Sequence, residues 1–447
     1  MKEDRFSRVG FILAAAGSAV GIGNIWRFPY VAGEYGGGAF ALVYIGAILF
    51  AALPLLIGEI LIGKITRKEP VSAFEDLAPA DKKYWRFAGF QIFSSFIILC
   101  FYTIVIGWVL AYFVHSLFSL PKSSQEAKEL FTSFVAYDVS SQILYHAIAV
   151  LITGAAVLGG IKRGVERANK IMTPALFIML LFLLSYAATL PSFGKAVSFM
   201  FVPDFSKLTT DAVLVAFGQS FFSMSVGMAV MIAYASATQS GLKVCRSAAL
   251  IALIDTLVAF TAGIVAFSFL FYENMPSAQG TGLAFISMPA AFYDFGVFGR
   301  FLAAAFFAAL GFAGITSSIS ILEPTVSYFI HRHKWSRAKA TWLPLLVAYL
   351  IGILTLLSVT DGFKFLRIND MSLFDLLDFS TSAFLLPIGA LLVAIFLGFA
   401  VDRGRIASEL KGEGLSRGAI KFWFFLIRFV APVATIAAIA VKLSGLA

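Results

Sequence analysis

The chain has 447 residues, of which 60% are hydrophobic and 13% charged, with a formal net charge of +9 and a mean hydropathy of +0.90. Soluble domains carry about a quarter charged residues, so this composition excludes one and predicts an integral membrane protein. The positive charge does not call for nucleic acid, because membrane topology accounts for it.

A helix needs about 20 apolar residues to cross a hydrocarbon core. Eleven such runs are centred near residues 22, 51, 103, 150, 178, 224, 258, 313, 350, 387 and 432. They are too long for barrel strands and predict an all-α polytopic fold with 11 transmembrane helices. No polar linker divides residues 1–447, so the chain reads as a single transmembrane domain. The first run lacks a small-residue cleavage site and reads as a retained helix. The N-terminal ten residues and the segments near 64–86, 161–170, 237–246, 331–340 and 401–421 hold 24 of the 34 Lys and Arg, against 8 on the opposite side. This bias puts the N-terminus in the cytoplasm and, with eleven spans, the C-terminus outside a cell (inner) membrane. Cys100 and Cys245 are too far apart to suggest a local staple. His331 and His333 lie in a basic cytoplasmic loop and read as solvated rather than as a metal pair.

The first run contains "AGSAVGIGNIWRFPY", Ala16 to Tyr30, rich in residues that weaken a helix. Gly17 and Gly21 alone would fit a close helix contact. Gly23, Asn24 and Arg27 are better explained by unwound backbone near Val20–Gly23, with carbonyls free for a cation and amides free for an anion. Such backbone survives in a membrane only where it lines a protein cavity. An unpaired mid-span arginine costs about 2.5–3.5 kcal/mol, so Arg27 needs an acid or a wet vestibule. Glu59 in the second run, nearer the cytoplasmic end, has tying down a loop as its plain reading, and Tyr102 in the third is a lone aromatic hydroxyl whose plain alternative is packing.

The sixth run, "AFGQSFFSMSVGMAVMIAYAS", is also interrupted, by Gly218 and Gly227 with Ser220, Ser223 and Ser225 clustered between them. The two interruptions lie five spans apart, an odd number, so the halves (about 8–190 and 208–400, followed by an extra helix at about 420–443) are expected to be inverted repeats. Paired interrupted spans of this kind point to a transporter's binding site near the mid-plane. In the seventh run Asp255 is a lone intramembrane carboxylate, a functional candidate. In the eighth, "AGITSS" sets Thr316 beside Ser317. Such hydroxyls either back-bond to a carbonyl one turn earlier or complete an oxygen site for a hard cation. In the tenth, Asp375 and Asp378 lie near the outer end, where Asp378 would pair with Arg27 as an outer gate or as a static ion pair.

Together these motifs resemble the neurotransmitter:sodium symporter family. "AGSAVGIGNIWRFPY", "GGGAF", "GQSFFSMSVGM" and "AGITSSISI" stand in the family's order and span nearly the whole chain; eleven spans fit its bacterial amino-acid subgroup. The resemblance implies Na+ at two sites. The first would use the Ala19 carbonyl, Asn24, Ser223, Asp255 and the substrate carboxylate. The second would use carbonyls of Gly17, Val20 and Ala313 with the hydroxyls of Thr316 and Ser317. It also implies that the amides of Ile22 and Gly23, with Tyr102, hold the substrate carboxylate. Carbonyls of Ala19, Phe222 and Ser223, with Ser225, would take the amine. Phe222 would be a lid, and Ile98, Met228 and Ile321 the apolar wall.

Gly21 stands where members that carry amines lacking a carboxylate have an acid, so an amino acid is the expected small-molecule partner. The apolar lining implies a neutral apolar or aromatic L-amino acid. Asp255, where some members have asparagine with bound chloride, implies chloride-independent transport. At the cytoplasmic gate Lys2, His331 and Ala237 replace the usual residues, and Glu323 is expected to pair with Lys2 or Arg5. The alternatives are a channel, a substrate-gated sensor and an intramembrane enzyme. The lone interior charges speak against a channel, and the lack of a nucleophile–base pair against an enzyme. Neither a nucleic-acid nor an obligatory protein partner is implied beyond the lipid bilayer.

Overall fold

The computed structural model describes residues 5–275 and 280–443, and these are helical with no named strand. Among them, nine helices are long and apolar enough to cross a membrane: Gly38–Thr66, Lys83–Ser116, Val139–Leu158, Ile161–Ala187, Val244–Tyr272, Leu283–His333, Arg337–Val359, Leu373–Ala400 and Arg417–Ala440. A tenth candidate is a bent pair, Arg8–Ala19 and Gly23–Glu34, whose halves meet at 49°. The sixth sequence run is divided into Thr210–Ser223 and Val230–Ser236, with residues 224–229 between them. Both interruptions fall where glycine and polar residues weaken the helix.

Burial sorts the helices into an inner and an outer set. In the most apolar stretch of Leu283–His333, 89% of residues are buried, against 28% for Ile161–Ala187. The first bent pair, the divided sixth run, Lys83–Ser116 and the helix Gly296–His333 form the centre. Apolar residues all round these central helices fit their burial, because a helix with no polar face must be enclosed by protein or lipid. The last helix docks on the outside, where the Trp423 indole N–H donates to the Pro54 carbonyl at 3.2 Å.

Glycine permits a close helix approach near Gly63. A Cβ on Gly63 would lie 2.2 Å from the Ile232 carbonyl oxygen, so Gly38–Thr66 touches Val230–Ser236 backbone to backbone. Nothing lies within 4 Å of a Cβ placed on Gly46 in the same helix. Gly63→Val should therefore lower stability by about 1–3 kcal/mol through overpacking, whereas Gly46→Ala should be neutral. Thermal unfolding of the detergent-solubilised protein, followed by size exclusion, checks this. Equal midpoints for the two variants would contradict the packing account.

Candidate functional site

The first break is built from local backbone. Val20 donates to the Ala16 carbonyl at 2.7 Å and then leaves the helix at ψ 84°. Asn24 folds back so that its amide oxygen accepts the Gly21 N–H at 3.1 Å. The chain resumes as a helix with a wide first turn, Phe28 N–H bonding to the Gly23 carbonyl. The second break needs three left-handed residues: Ser225 at φ 53°, Gly227 at φ 80° and Ala229 at φ 59°. Gly227 is required twice over, since a Cβ there would also stand 2.3 Å from the Leu386 carbonyl oxygen.

The two breaks lie side by side and antiparallel. Ser225 Oγ donates to the Ser18 carbonyl at 3.1 Å, Asn24 Nδ2 donates to Ser223 Oγ at 3.1 Å, and Gln219 Nε2 reaches the Gly23 carbonyl at 3.4 Å. Ser18, early in the first segment, meets Ser225, while Gly23 and Asn24, later in it, meet the earlier Gln219 and Ser223. Polar backbone freed in one is thus met by polar groups of the other, which satisfies it away from lipid.

Asp255, fully buried, sits at one end of this seam. Its carboxylate accepts from Asn24 Nδ2 at 2.7 Å, from Ser223 Oγ at 2.8 and 2.9 Å, and from the Tyr44 hydroxyl at 3.2 Å. All three partners are neutral. A buried carboxylate whose hydrogen-bond donors among the described residues are all neutral is a site where positive charge is stabilised. Its oxygens and hydroxyls are the donor set that hard cations prefer.

A second oxygen cluster lies where the first break meets Gly296–His333. Ser317 Oγ donates toward the Ser18 and Gly17 carbonyls at 3.3 and 3.4 Å. Thr316 Oγ1 back-bonds to the Phe312 carbonyl at 2.8 Å, with the Ala313 carbonyl at 3.1 Å. Of the two readings of this pair, Thr316 takes the back-bond and Ser317 faces the break. Val20 lies in the break itself.

Between the clusters is a small cavity. Ala19, Gly23, Ile98, Tyr102, Phe222, Ser223, Ser225, Met228, Ser317 and Ile321, all expected from the sequence, line it together with Ser18, Gly21 and Asn24; none of these side chains is charged. Ile22 joins through its backbone, donating its N–H to the Tyr102 hydroxyl at 3.2 Å. Phe222 covers one side: a Cβ on Gly23 would lie 3.1 Å from its ring, and the Arg27 guanidinium lies 5.2 Å from the ring centroid. Arg27 is therefore held by an aromatic face, while Asp378, half-buried, stands in the helix Leu373–Ser380.

Several working residues were absent from the sequence reading or misplaced by it. Tyr44 was missed; its only signal is a phenol in the apolar "ALVYIGA". Glu59 does not tie down a loop: fully buried, it accepts the Gly227 N–H at 2.8 Å and so holds the second break. Phe6, also fully buried, packs 5.0 Å from the Tyr234 ring, and its N–H donates to the Ala237 carbonyl at 2.9 Å. Arg67 closes over the same end through Thr238. Glu323 forms a 2.6 Å ion pair with Arg337, a partner the sequence reading did not name, because the turn after His333 brings the next helix back over it. Lys2 lies outside the described residues. His331 Nδ1 lies 2.8 Å from the Ser327 carbonyl of its own helix.

Comparison with known proteins agrees with this architecture. The profile of the sodium:neurotransmitter symporter family matches residues 2–141 and 137–446. An uncharacterized sodium-dependent transporter of Bacillus subtilis is 33% identical over 439 residues, covering 96% of this chain and 95% of its own. Another, from Methanocaldococcus jannaschii, is 35% identical over 461 residues, covering 97% and 88%. The crystal structure of MhsT in complex with L-phenylalanine superposes with a TM-score of 0.88 at 35% identity, covering 98% of this chain and 99% of that one. The chain belongs to the sodium:neurotransmitter symporter family, whose members are sodium-dependent membrane transporters and not enzymes.

Proposed function

We propose that the protein imports neutral apolar or aromatic L-amino acids with sodium by alternating access, without chloride. The observation that carries this reading is the uncharged cavity between two oxygen-rich clusters, one of them holding Asp255. A substrate with a charged side chain would find no partner there. An α-carboxylate would meet the start of Gly23–Glu34, whose positive end favours an anion, and the Tyr102 hydroxyl. The bound phenylalanine of MhsT supports an aromatic substrate. Met228 adapts its shape readily, which suits a range of apolar side chains.

Sodium would sit at two places. At the first, Asp255 and Ser223 supply oxygens, and the Asn24 amide would turn its oxygen inward, exchanging its hydrogen bond to the carboxylate for a metal contact. At the second, the hydroxyls of Ser317 and Thr316 would join the carbonyls of Gly17, Val20 and Ala313 around the ion. The fixed charge of Asp255 takes the part that a bound chloride would otherwise play. Two sodium ions crossing about 100 mV supply roughly 4.6 kcal/mol, enough for three decades of accumulation. Arg27 and Asp378 would close the outer side above Phe222, with the N-terminal end in the cytoplasm of a cell membrane and the halves working as inverted repeats.

Uptake of labelled amino acids into proteoliposomes, driven by sodium with gluconate replacing chloride, tests the substrate and ion assignment together. Leucine, phenylalanine and tryptophan are expected to accumulate in gluconate, and lysine and glutamate not to. Preference for a charged amino acid, or uptake that stops in gluconate, would overturn it. Tyr44→Phe removes one hydrogen bond to the buried carboxylate, an interaction of about 1.5–3 kcal/mol. The sodium concentration for half-maximal uptake is therefore expected to change by about tenfold or more. An unchanged value would separate Tyr44 from the ion site.

A further inference from the structure

Away from the breaks, the helices Lys83–Ser116, Gly296–His333 and Arg337–Val359 enclose an apolar cleft at the end that the Lys and Arg distribution assigns to the cytoplasm. Phe90, Phe93, Phe96, Phe329, Trp335 and Val347 are among its walls, with His333 at its edge. The cleft opens outward: Phe93 is 58% exposed and Val347 41%. An apolar, outward-opening cleft of this kind suits an acyl chain, and what the protein can select is the headgroup.

The rim supplies the selection. Lys339 Nζ lies 4.5 Å over the Trp335 ring, and the Arg86 guanidinium 5.2 Å from the ring of Phe87, which is 6.2 Å from Phe90. Two neighbouring cations are already used, Arg332 by Glu75 at 3.4 Å and Arg337 by Glu323 at 2.6 Å. Among the described residues Arg86 and Lys339 have no ion-pair partner. Aromatic faces thus hold both cations beside the cleft: Lys339 on Trp335, one of its walls, and Arg86 on Phe87, whose ring neighbours the wall residue Phe90.

We infer that this cleft binds one anionic phospholipid of the cytoplasmic leaflet, an acyl chain between the aromatic walls and the phosphate at the Arg86–Lys339 rim. A neutral lipid could fill the cleft but would leave the two cations unmatched. The site is independent of the transported substrate.

Native mass spectrometry of the full-length protein, offered equal phosphatidylglycerol and phosphatidylcholine with the same acyl chains, tests the assignment. One phosphatidylglycerol is expected to be retained in preference. Lys339→Gln should cut its retention about fivefold, and Arg86→Gln with Lys339→Gln more than about tenfold, leaving phosphatidylcholine unchanged. Arg403→Gln with Lys411→Gln, an equal charge change elsewhere, should have no effect. Equal retention of the two lipids by the parent, or an equal loss in the control pair, would overturn the proposal. Should the double rim variant fail to fold, Val347→Trp narrows the cleft with the rim intact and is expected to lose the same preference; a folded Val347→Trp that keeps it would also overturn the assignment.

Discussion

A buried carboxylate whose donors among the described residues are neutral is the constraint on which the rest of this structure depends. Asp255 takes hydrogen bonds from Asn24, Ser223 and Tyr44. These three side chains come from the first broken segment, the second broken segment and the helix Gly38–Thr66. One buried charge thus fixes the relation of three helices, and adding a cation among them changes the free energy of all three contacts at once. That is the differential interaction a coupled conformational change requires.

The antiparallel seam explains why the breaks can exist. A helix interrupted in hydrocarbon exposes carbonyls and amides that cost several kcal/mol each when unmet. Here each break satisfies part of the other, through Ser18 with Ser225 and Gly23 with Gln219, while Glu59 takes the Gly227 amide. The breaks are therefore stable only together. Oxygen-rich clusters at either end of the seam and an uncharged cavity between them follow from the same arrangement.

Much of this was legible in the sequence because helix weakening is local. Gly21, Gly23 and Asn24 announce the first break, and Gly227 with its neighbouring serines announces the second. The cavity lining followed from residues at those breaks and from the family resemblance. What was illegible depends on partners far along the chain. Tyr44 reads as packing until Asp255, 211 positions away, is brought against it. Glu323 has several basic residues within reach of a plausible path, and only the turn after His333 selects Arg337. Ala229 adopts a left-handed conformation with nothing in its identity to show it, because Gly227 and its neighbours impose the geometry.

The central claim is that one ion site ties the two breaks into a single unit. Hydrogen–deuterium exchange of the purified protein in sodium against choline measures this directly, because amides in weakly held backbone exchange through local opening. The account predicts that sodium slows exchange in residues 17–24 and 222–229 together, and that Asp255→Asn removes the effect at both. Protection confined to one segment, or protection at both that survives Asp255→Asn, would contradict it.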